Sequence, residues 1–478
     1  MTTKVKPMRN SNARTPRLLS LSVLALLAGC SMAPIYERPP APVAAQWPAS
    51  SADNTAATTA AADMAWQDFV GDARLRELVT LALDNNRDLR VALAAIEQAR
   101  AQYQIRRADQ LPTINAAVAG NRQPSSDGES ISSAYTAGLA MASWELDFFG
   151  RVASLKDAAL AQFLATQEAR NAVQTSLIAS VVSTWLSLQT NNELLALTQR
   201  TLATRQDSLR LNRMRFEQGV TSALDLRQAE SLTAAAQATL AQQRRLRALD
   251  VNALTQLVGQ PLPEALLAAP AIPAAQSLHD VPVGMPSDLL ERRPDIRQAE
   301  QQLIAANANI GAARAAFFPR IALTASAGTA SGALSGLFQS GAWGWTLAPQ
   351  AVLPIFDAGR NQAALESAQA GRDMALAQYE KAIQGAFREV ADALAGQATL
   401  GEQVRAQQAQ ADAEADRFRL ADLRYRNGVA SYLDVLDAQR ALFATQQALA
   451  QTQLAQQQNR VALYKALGGG WSAQAPQL

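Results

Sequence analysis

The chain contains itself twice, so its fold must be built from two copies of one supersecondary unit. Asp88-Leu89-Arg90 returns 207 residues later as Asp295-Ile296-Arg297, and Leu111-Pro112 with Ile114 returns as Phe318-Pro319 with Ile321. At Gly150-Arg151 and Gly359-Arg360 the offset has become 209. The longest match pairs Arg215, Phe216, Gly219, Val220, Ser222, Leu224, Asp225 and Leu226 with Arg424, Tyr425, Gly428, Val429, Ser431, Leu433, Asp434 and Val435. Agreement at a nearly fixed offset is positional rather than compositional. It sets one repeat at 66–260 and a second at 291–468, joined by a Pro- and Ala-rich linker at 261–290 and followed by a tail at 469–478.

Within each repeat the longest stretches read as helix. No Gly or Pro interrupts Val152–Gln218 or Val220–Val258, so no residue in either stretch stops a helix. Val181, Leu188, Leu195, Leu202, Leu209 and Phe216 fall seven apart, a coiled-coil seam that the second repeat keeps more weakly as Ile383, Val390, Val404, Phe418 and Tyr425. The lengths balance. The 67 residues from Val152 span about 100 Å at 1.5 Å per residue, while the 22 of Asp88–Asp109 and the 39 of Val220–Val258 together span about 90 Å. The second repeat repeats the arithmetic with helices expected at 295–317, 361–427 and 429–467. Two short helices stacked end to end therefore match one long helix, and each repeat supplies one segment of a tall wall.

Between the first short helix and the long one the texture changes to Gly, Ser, Thr and aromatic residues without a heptad, and each repeat is expected to hold a β-hairpin, at 111–147 and 319–356. Ile321, Leu323, Ala325 and Ala327 alternate with Ala322, Thr324, Ser326 and Gly328, which gives one apolar and one small or polar face. Trp343, Trp345, Leu347, Ala351 and Leu353 do the same on the return, where Pro349 demands an edge or a bulge. Such strands suit a membrane barrel, with Trp144, Trp343 and Trp345 as candidate interface residues beside the plainer reading of simple packing. Four strands cannot close a barrel, and an open edge cannot face lipid because its backbone groups would lack partners. Three copies supply twelve strands, whereas two supply eight around a bore that side chains fill. A conduit favours three.

The amino terminus sets the compartment. Lys4, Lys6, Arg9, Arg14 and Arg17 precede the apolar run Leu18–Ala28, so residues 1–29 read as a signal peptide. It closes on Leu27-Ala28-Gly29-Cys30, which resembles a lipobox. Cys30 is then expected to carry a diacylglycerol and an N-acyl chain, with 30–65 as the tether behind it. Cys30 is the one cysteine, so the mature chain holds no internal disulfide. Without the leader, 38 Lys and Arg face 41 Asp and Glu, which removes the electrostatic motive for binding nucleic acid. The single histidine, His279, reads as a surface residue of the linker; with no second His or Cys near it there is no metal cluster and no partner for a nucleophile. No cofactor is expected.

Four segments carry a resemblance: Cys30-Ser31-Met32-Ala33-Pro34-Ile35-Tyr36-Glu37-Arg38-Pro39, Trp144-Glu145-Leu146-Asp147-Phe148-Phe149-Gly150-Arg151, Glu291-Arg292-Arg293-Pro294-Asp295-Ile296 and Leu353-Pro354-Ile355-Phe356-Asp357-Ala358-Gly359-Arg360. Over nearly the whole mature length the chain resembles the outer membrane factors, the family of TolC and of the OprM-like lipoproteins of the NodT group. The resemblance implies an α+β membrane protein: a homotrimer with a twelve-stranded transmembrane β-barrel, four strands per chain, continuous with a twelve-helix periplasmic α-barrel and girdled by a mixed equatorial domain. It implies an outer-membrane duct for drugs or other small molecules, partnered by a periplasmic adaptor and an inner-membrane transporter of the resistance-nodulation-division class.

The resemblance also assigns roles. Adaptor hairpins dock at the two turns, here Gly219, Val220, Ser222 and Gly428, Val429, Ser431. Asp434 and Asp437 lie three apart on one helix, so threefold symmetry stacks them into two acidic rings of a periplasmic gate. As plain helix-start carboxylates they would instead complement the helix dipole. Tyr425 matches a latch tyrosine, with Asp225 as its expected partner, while Ala430 stands where TolC has an arginine, so a different lock is expected. The rival readings are a coiled-coil adaptor, which does not explain the hairpin pairs, and a lipid-anchored enzyme, for which no catalytic constellation exists in the sequence.

Overall fold

The structure, a computed structural model of the chain, describes residues 31–47, 64–124, 131–268, 278–281 and 288–471. The expected signal peptide and Cys30 lie outside the described residues. Met1–Pro39, Glu97–Ala165 and Ala299–Gln378 form one compact unit; Pro40–Ile96, Thr166–Gln298 and Tyr379–Leu478 form the other. The helices are α1 (Trp66–Phe69), α2 (Ala73–Asn85), α3 (Arg87–Ala108), α4 (Arg151–Glu217), α5 (Ala223–Val258), α6 (Glu264–Ala268), α7 (Asp288–Arg292), α8 (Pro294–Ala315), α9 (Arg360–Arg426) and α10 (Tyr432–Ala466). The two long helices, α4 and α9, are 67 residues each, as the uninterrupted sequence required.

The second unit is organised around α2, an element the repeat pattern did not single out. Leu75, Leu78, Val79 and Ala82 lie on one face of it and are fully buried against Val181, Val182, Trp185 and Leu188 of α4 and Leu254 and Val258 of α5. Each large apolar side chain so buried contributes about 1.5–3 kcal/mol. Phe69 of α1 stacks on Tyr464 of α10 with ring centroids 4.1 Å apart. The linker packs into this core through Leu266 and Leu278, and beside them the His279 N–H donates to the Phe69 carbonyl at 3.0 Å. The His279 side chain is exposed.

End-to-end helix stacking has a concrete joint. Asn86, between α2 and α3, donates from Nδ2 to the Leu257 carbonyl in the last turn of α5 at 2.8 Å. Arg293, between α7 and α8, donates from Nη1 to the Ala466 carbonyl in the last turn of α10 at 2.9 Å. Each helix then stops at a left-handed glycine, Gly259 (φ 78°) or Gly468 (φ 83°), and at Gly259 a Cβ would lie 2.5 Å from the Asn85 carbonyl oxygen. A carbonyl-rich helix end and a donor-bearing residue before the next helix satisfy each other. The heptad seam is dry at Val181, Leu188, Ile383 and Val390 and loosens along α4 to Phe216, which is exposed.

In the first unit the two hairpins join into one antiparallel sheet, β1 (Ile114–Pro124), β2 (Ile131–Leu146), β3 (Arg320–Ser331) and β4 (Trp343–Val352), in that order. Across the register Val118, Ala137, Thr329 and Trp343 share a face with Ala116, Leu139, Ala327 and Trp345. The opposite face carries Ala117, Gly138, Gly328 and Gly344, with Ala119, Thr136 and Ala330 beside them. A bulge between Met141 and Trp144, with Ser143 at φ 48°, keeps Trp144 opposite Leu323 on the apolar face and turns Glu145 to the other. Among the described residues β1 and β4 each pair on one side only, and Pro349 lies on β4.

Candidate functional site

The candidate residues gather at two helix–helix turns in the second unit. After α4 the chain closes a Schellman motif: the Val220 N–H donates to the Arg215 carbonyl at 2.8 Å and the Gly219 N–H to Phe216 at 2.9 Å. The same motif ends α9, with Val429 to Arg424 at 2.9 Å and Gly428 to Tyr425 at 3.0 Å. Gly219 and Gly428 sit at φ 70° and 73°, and a Cβ on either meets nothing within 4 Å. Backbone conformation alone requires glycine there. Val220 and Val429 stand exposed at the two tips.

Ser222 and Ser431 then cap the following helices. The Ser222 Oγ accepts from the Asp225 N–H at 3.1 Å, while the Asp225 carboxylate accepts from the Ser222 N–H, the Ser222 hydroxyl at 2.8 Å and the Thr221 hydroxyl at 2.9 Å. These hydroxyl donors hold the Asp225 carboxyl below the usual carboxylate range. Ser431 and Asp434 form the second capping box. Asp225 and Asp434 are thus helix-start carboxylates, which for Asp434 is the plainer of its two sequence readings, whatever further role they have.

The expected pairing of Tyr425 with Asp225 is not the one the chain makes. Arg215 donates from Nη1 to the Tyr425 hydroxyl, and its guanidinium lies 5.0 Å from the ring centroid of the same tyrosine. Asp225 is committed to its own cap, where its carboxylate accepts from Ser222 and Thr221. Tyr432 packs beside the pair, 5.4 Å from Tyr425 between centroids, and burial pushes its phenol up to about 12. A cavity of about 520 Å³ runs between α4, α9 and α10 here, lined among others by Asn212, Tyr425, Tyr432 and Gln439.

Asp434 and Asp437 do share a face, as their spacing required, and line a cleft of about 990 Å³ with Ala430 and Leu433. Across it, α9 presents Arg417 and Arg424. Arg417 pairs with Asp437 and, at 3.1 Å, with Glu414. Sequence reasoning missed Arg215, Arg417 and Tyr432. The duplication carried a signal for Arg417: 209 residues earlier, Arg417 and Asp437 correspond to Ser208 and Gln228, so both partners of the ion pair occur in the second repeat alone. Among the described residues no group of His, Cys, Asp and Glu could hold a metal, and no helix is long and apolar enough to cross a membrane.

A family model described as outer membrane efflux protein matches residues 78–260 and 285–469, one match for each repeat. The chain is 48% identical over 472 residues to the antibiotic efflux pump outer membrane protein ArpC of Pseudomonas putida, covering 97% of both chains. The toluene efflux pump outer membrane protein TtgC of Pseudomonas putida matches to the same extent, 48% over 472 residues and 97% of each chain. Among solved structures, the open state of the Neisseria gonorrhoeae MtrE outer membrane channel superposes with a TM-score of 0.85 at 41% identity, covering 92% of this chain and 98% of that one.

Proposed function

The chain belongs to the outer membrane efflux protein family, and on that premise we propose that three copies form the outer-membrane exit duct of a tripartite efflux pump. The observation that carries this reading is the four-stranded sheet, apolar on one face, small and polar on the other, and unpaired at both edges. An edge of free backbone groups is tolerated in lipid only where another copy pairs with it, and closure of three sheets gives twelve strands. The small polar face then lines the bore. A periplasmic adaptor seats on the turns at Gly219, Val220, Ser222 and Gly428, Val429, Ser431, and an inner-membrane transporter of the resistance-nodulation-division class supplies the energy. The duct passes cargo and catalyses nothing.

Cys30 bears the lipid in this reading, which makes the outer membrane the protein's anchorage as well as its barrel's solvent. Small organic molecules are the cargo class, because the relatives at 48% identity are named for antibiotic and toluene efflux. At the periplasmic end, Arg215 with Tyr425 and Arg417 with Asp437 are the fasteners of the gate, and threefold symmetry brings Asp434 and Asp437 into rings at the constriction. The gate's acidity is therefore partly compensated by Arg417.

Single-channel conductance in planar bilayers tests this. Wild type should show a small, cation-selective conductance that grows several-fold in the Asp434→Ala, Asp437→Ala double variant. Absence of any channel in either form would overturn the duct, and an unchanged conductance would move the gate away from these residues.

A further inference from the structure

The N-terminal segment does not hang free; within the sheet-bearing unit it lies on α8 as a strap. Glu300, whose side chain is 8% exposed, accepts the Tyr36 hydroxyl at 3.0 Å and both arms of the Arg38 guanidinium at 2.7 and 3.0 Å. Farther along α8, Asn307 donates to the Pro34 carbonyl at 2.7 Å and Arg314 to the Met32 carbonyl at 3.3 Å. Between them a Cβ on Gly311 would stand 2.7 Å from the Ala33 nitrogen, so the strap seats only over a glycine.

The strap has no slack. From Arg38 to Met32 it advances six residues while α8 advances fourteen, from Glu300 to Arg314. At about 3.4 Å per extended residue and 1.5 Å per helical residue, both paths measure about 20 Å, so the strap is close to its full extension and antiparallel to the helix. The first repeat lacks these residues: 207 positions earlier, Glu300, Asn307 and Gly311 correspond to Leu93, Arg100 and Gln104. Where α8 hands over to β3, at the foot of the sheet, Phe148, Phe317, Ile355 and Phe356 stand exposed. Such an apolar collar below a membrane sheet fits the headgroup and acyl boundary of a leaflet.

We propose that the strap is a ruler: its clamp on Glu300 and its seat over Gly311 hold the lipid-bearing N-terminus at the foot of the sheet and pin the periplasmic leaflet to the collar. The inference rests on the reading of Cys30 as the lipidated residue. In the sequence Cys30 stands two residues before Met32, whose carbonyl Arg314 holds near the end of α8. The clamp passes any pull on the lipid into α8 rather than into a slack tether. The occupant of the collar is a phospholipid surface.

The test uses full-length lipidated protein in phosphatidylethanolamine–phosphatidylglycerol vesicles. Because Cys30 is the one natural cysteine and its thiol is consumed by the lipid, a nitroxide can be placed singly at Met32→Cys, where the side chain is partly buried, or at Phe356→Cys. The ruler predicts a restricted line at Met32 and, at Phe356, greater access to oxygen than to an aqueous nickel chelate. Gly311→Leu, or Arg38→Gln as a variant at the exposed end of the clamp, should sharpen the Met32 line and lower the oxygen preference at Phe356. A Met32 line that neither variant sharpens overturns the ruler, as does a released strap that leaves Phe356 unchanged. An unmodified mass for the Cys30 peptide overturns the anchor and the ruler together. Conductance recorded on the same vesicles tests the duct separately, so a silent channel with a restricted Met32 label would indict the duct alone.

Discussion

The guanidinium of Arg215 on α4 both donates to the hydroxyl of Tyr425 on α9 and lies over its ring, 5.0 Å from the centroid. One residue from each repeat is involved, so the contact ties the two helical hairpins to each other near their turns. A charge-assisted hydrogen bond and a cation–π contact at a half-buried site together contribute roughly 1–2 kcal/mol. Tyr425→Phe removes the hydrogen bond and keeps the ring, whereas Arg215→Ala removes both. Open probability in bilayers should rise in both variants, more in Arg215→Ala, and the double variant should add little beyond it. Full additivity would show that the two residues act independently.

Arg417 and Asp437 form a different kind of fastener. Their side chains are 47% and 61% exposed, so water and salt screen the pair and it adds little to folding stability. Raising the ionic strength from 0.1 to 1 M shortens the screening length from about 10 to about 3 Å. The open probability of the wild type should therefore climb with salt. Asp437→Asn should be already high and nearly indifferent to salt, with an unaltered melting temperature.

Both fasteners bear on what the sequence reveals and what it withholds. Helix lengths, strand faces and turn positions were legible because each follows from local rules: absence of Gly and Pro, alternation, and a Gly–Val–x–Ser turn written twice. The partner of Tyr425 was not legible. Asp225 has the charge for it, but Ser222 and Thr221 lie three and four residues away and take the carboxylate first, leaving Arg215 nearer the phenol. Competition between a local cap and a distant contact depends on where two helices cross, and no spacing in the chain encodes that. The strap is a similar case. Glu300 reads as one more solvated carboxylate on a helix until the N-terminal segment is seen lying over it. Helix α2, in contrast, was available: Leu75, Leu78, Val79 and Ala82 recur at helical spacing.

Tyr432 gives an alkaline signature. Burial raises its phenol to about 12 from an ordinary value near 10. The folded state prefers the protonated form, so the associated stability is fully present below pH 10 and is lost as the pH rises from about 10 to about 12. Far-UV circular dichroism melts across that window should show a steeper alkaline decline in wild type than in Tyr432→Phe, which cannot ionise. Equal slopes would assign the decline to other groups.

The two helix joints are matched in position and unequal in chemistry, and their variants should differ accordingly. Asn86 donates one neutral hydrogen bond to the Leu257 carbonyl and accepts the Leu89 N–H at 2.9 Å, so Asn86→Ala should cost about 1–3 kcal/mol. Arg293 is buried and holds Asp295 at 2.6 Å, Glu389 at 2.8 Å and the Ala466 carbonyl at 2.9 Å. Burial alone would raise the Asp295 carboxyl, but hydrogen bonds and charge from Arg293 outweigh it and hold the group below its ordinary range. Arg293→Ala unpairs that carboxylate, whose side chain is 42% exposed and so partly solvated, and leaves the Ala466 carbonyl without its donor, which should cost about 1.5–3 kcal/mol at neutral pH. The pH dependence should reverse as well. In wild type the contribution of Asp295 is present above its ordinary value near 4 and is lost as the pH falls through its lowered one. In Arg293→Ala the unpartnered carboxyl titrates high, so mild acid should recover part of the lost stability. Thermal melts of the detergent-solubilised protein between pH 4 and 8 decide it: a variant that melts higher at pH 5 than at pH 7.5, against a flat wild type, confirms that Arg293 holds the joint through charge rather than through packing.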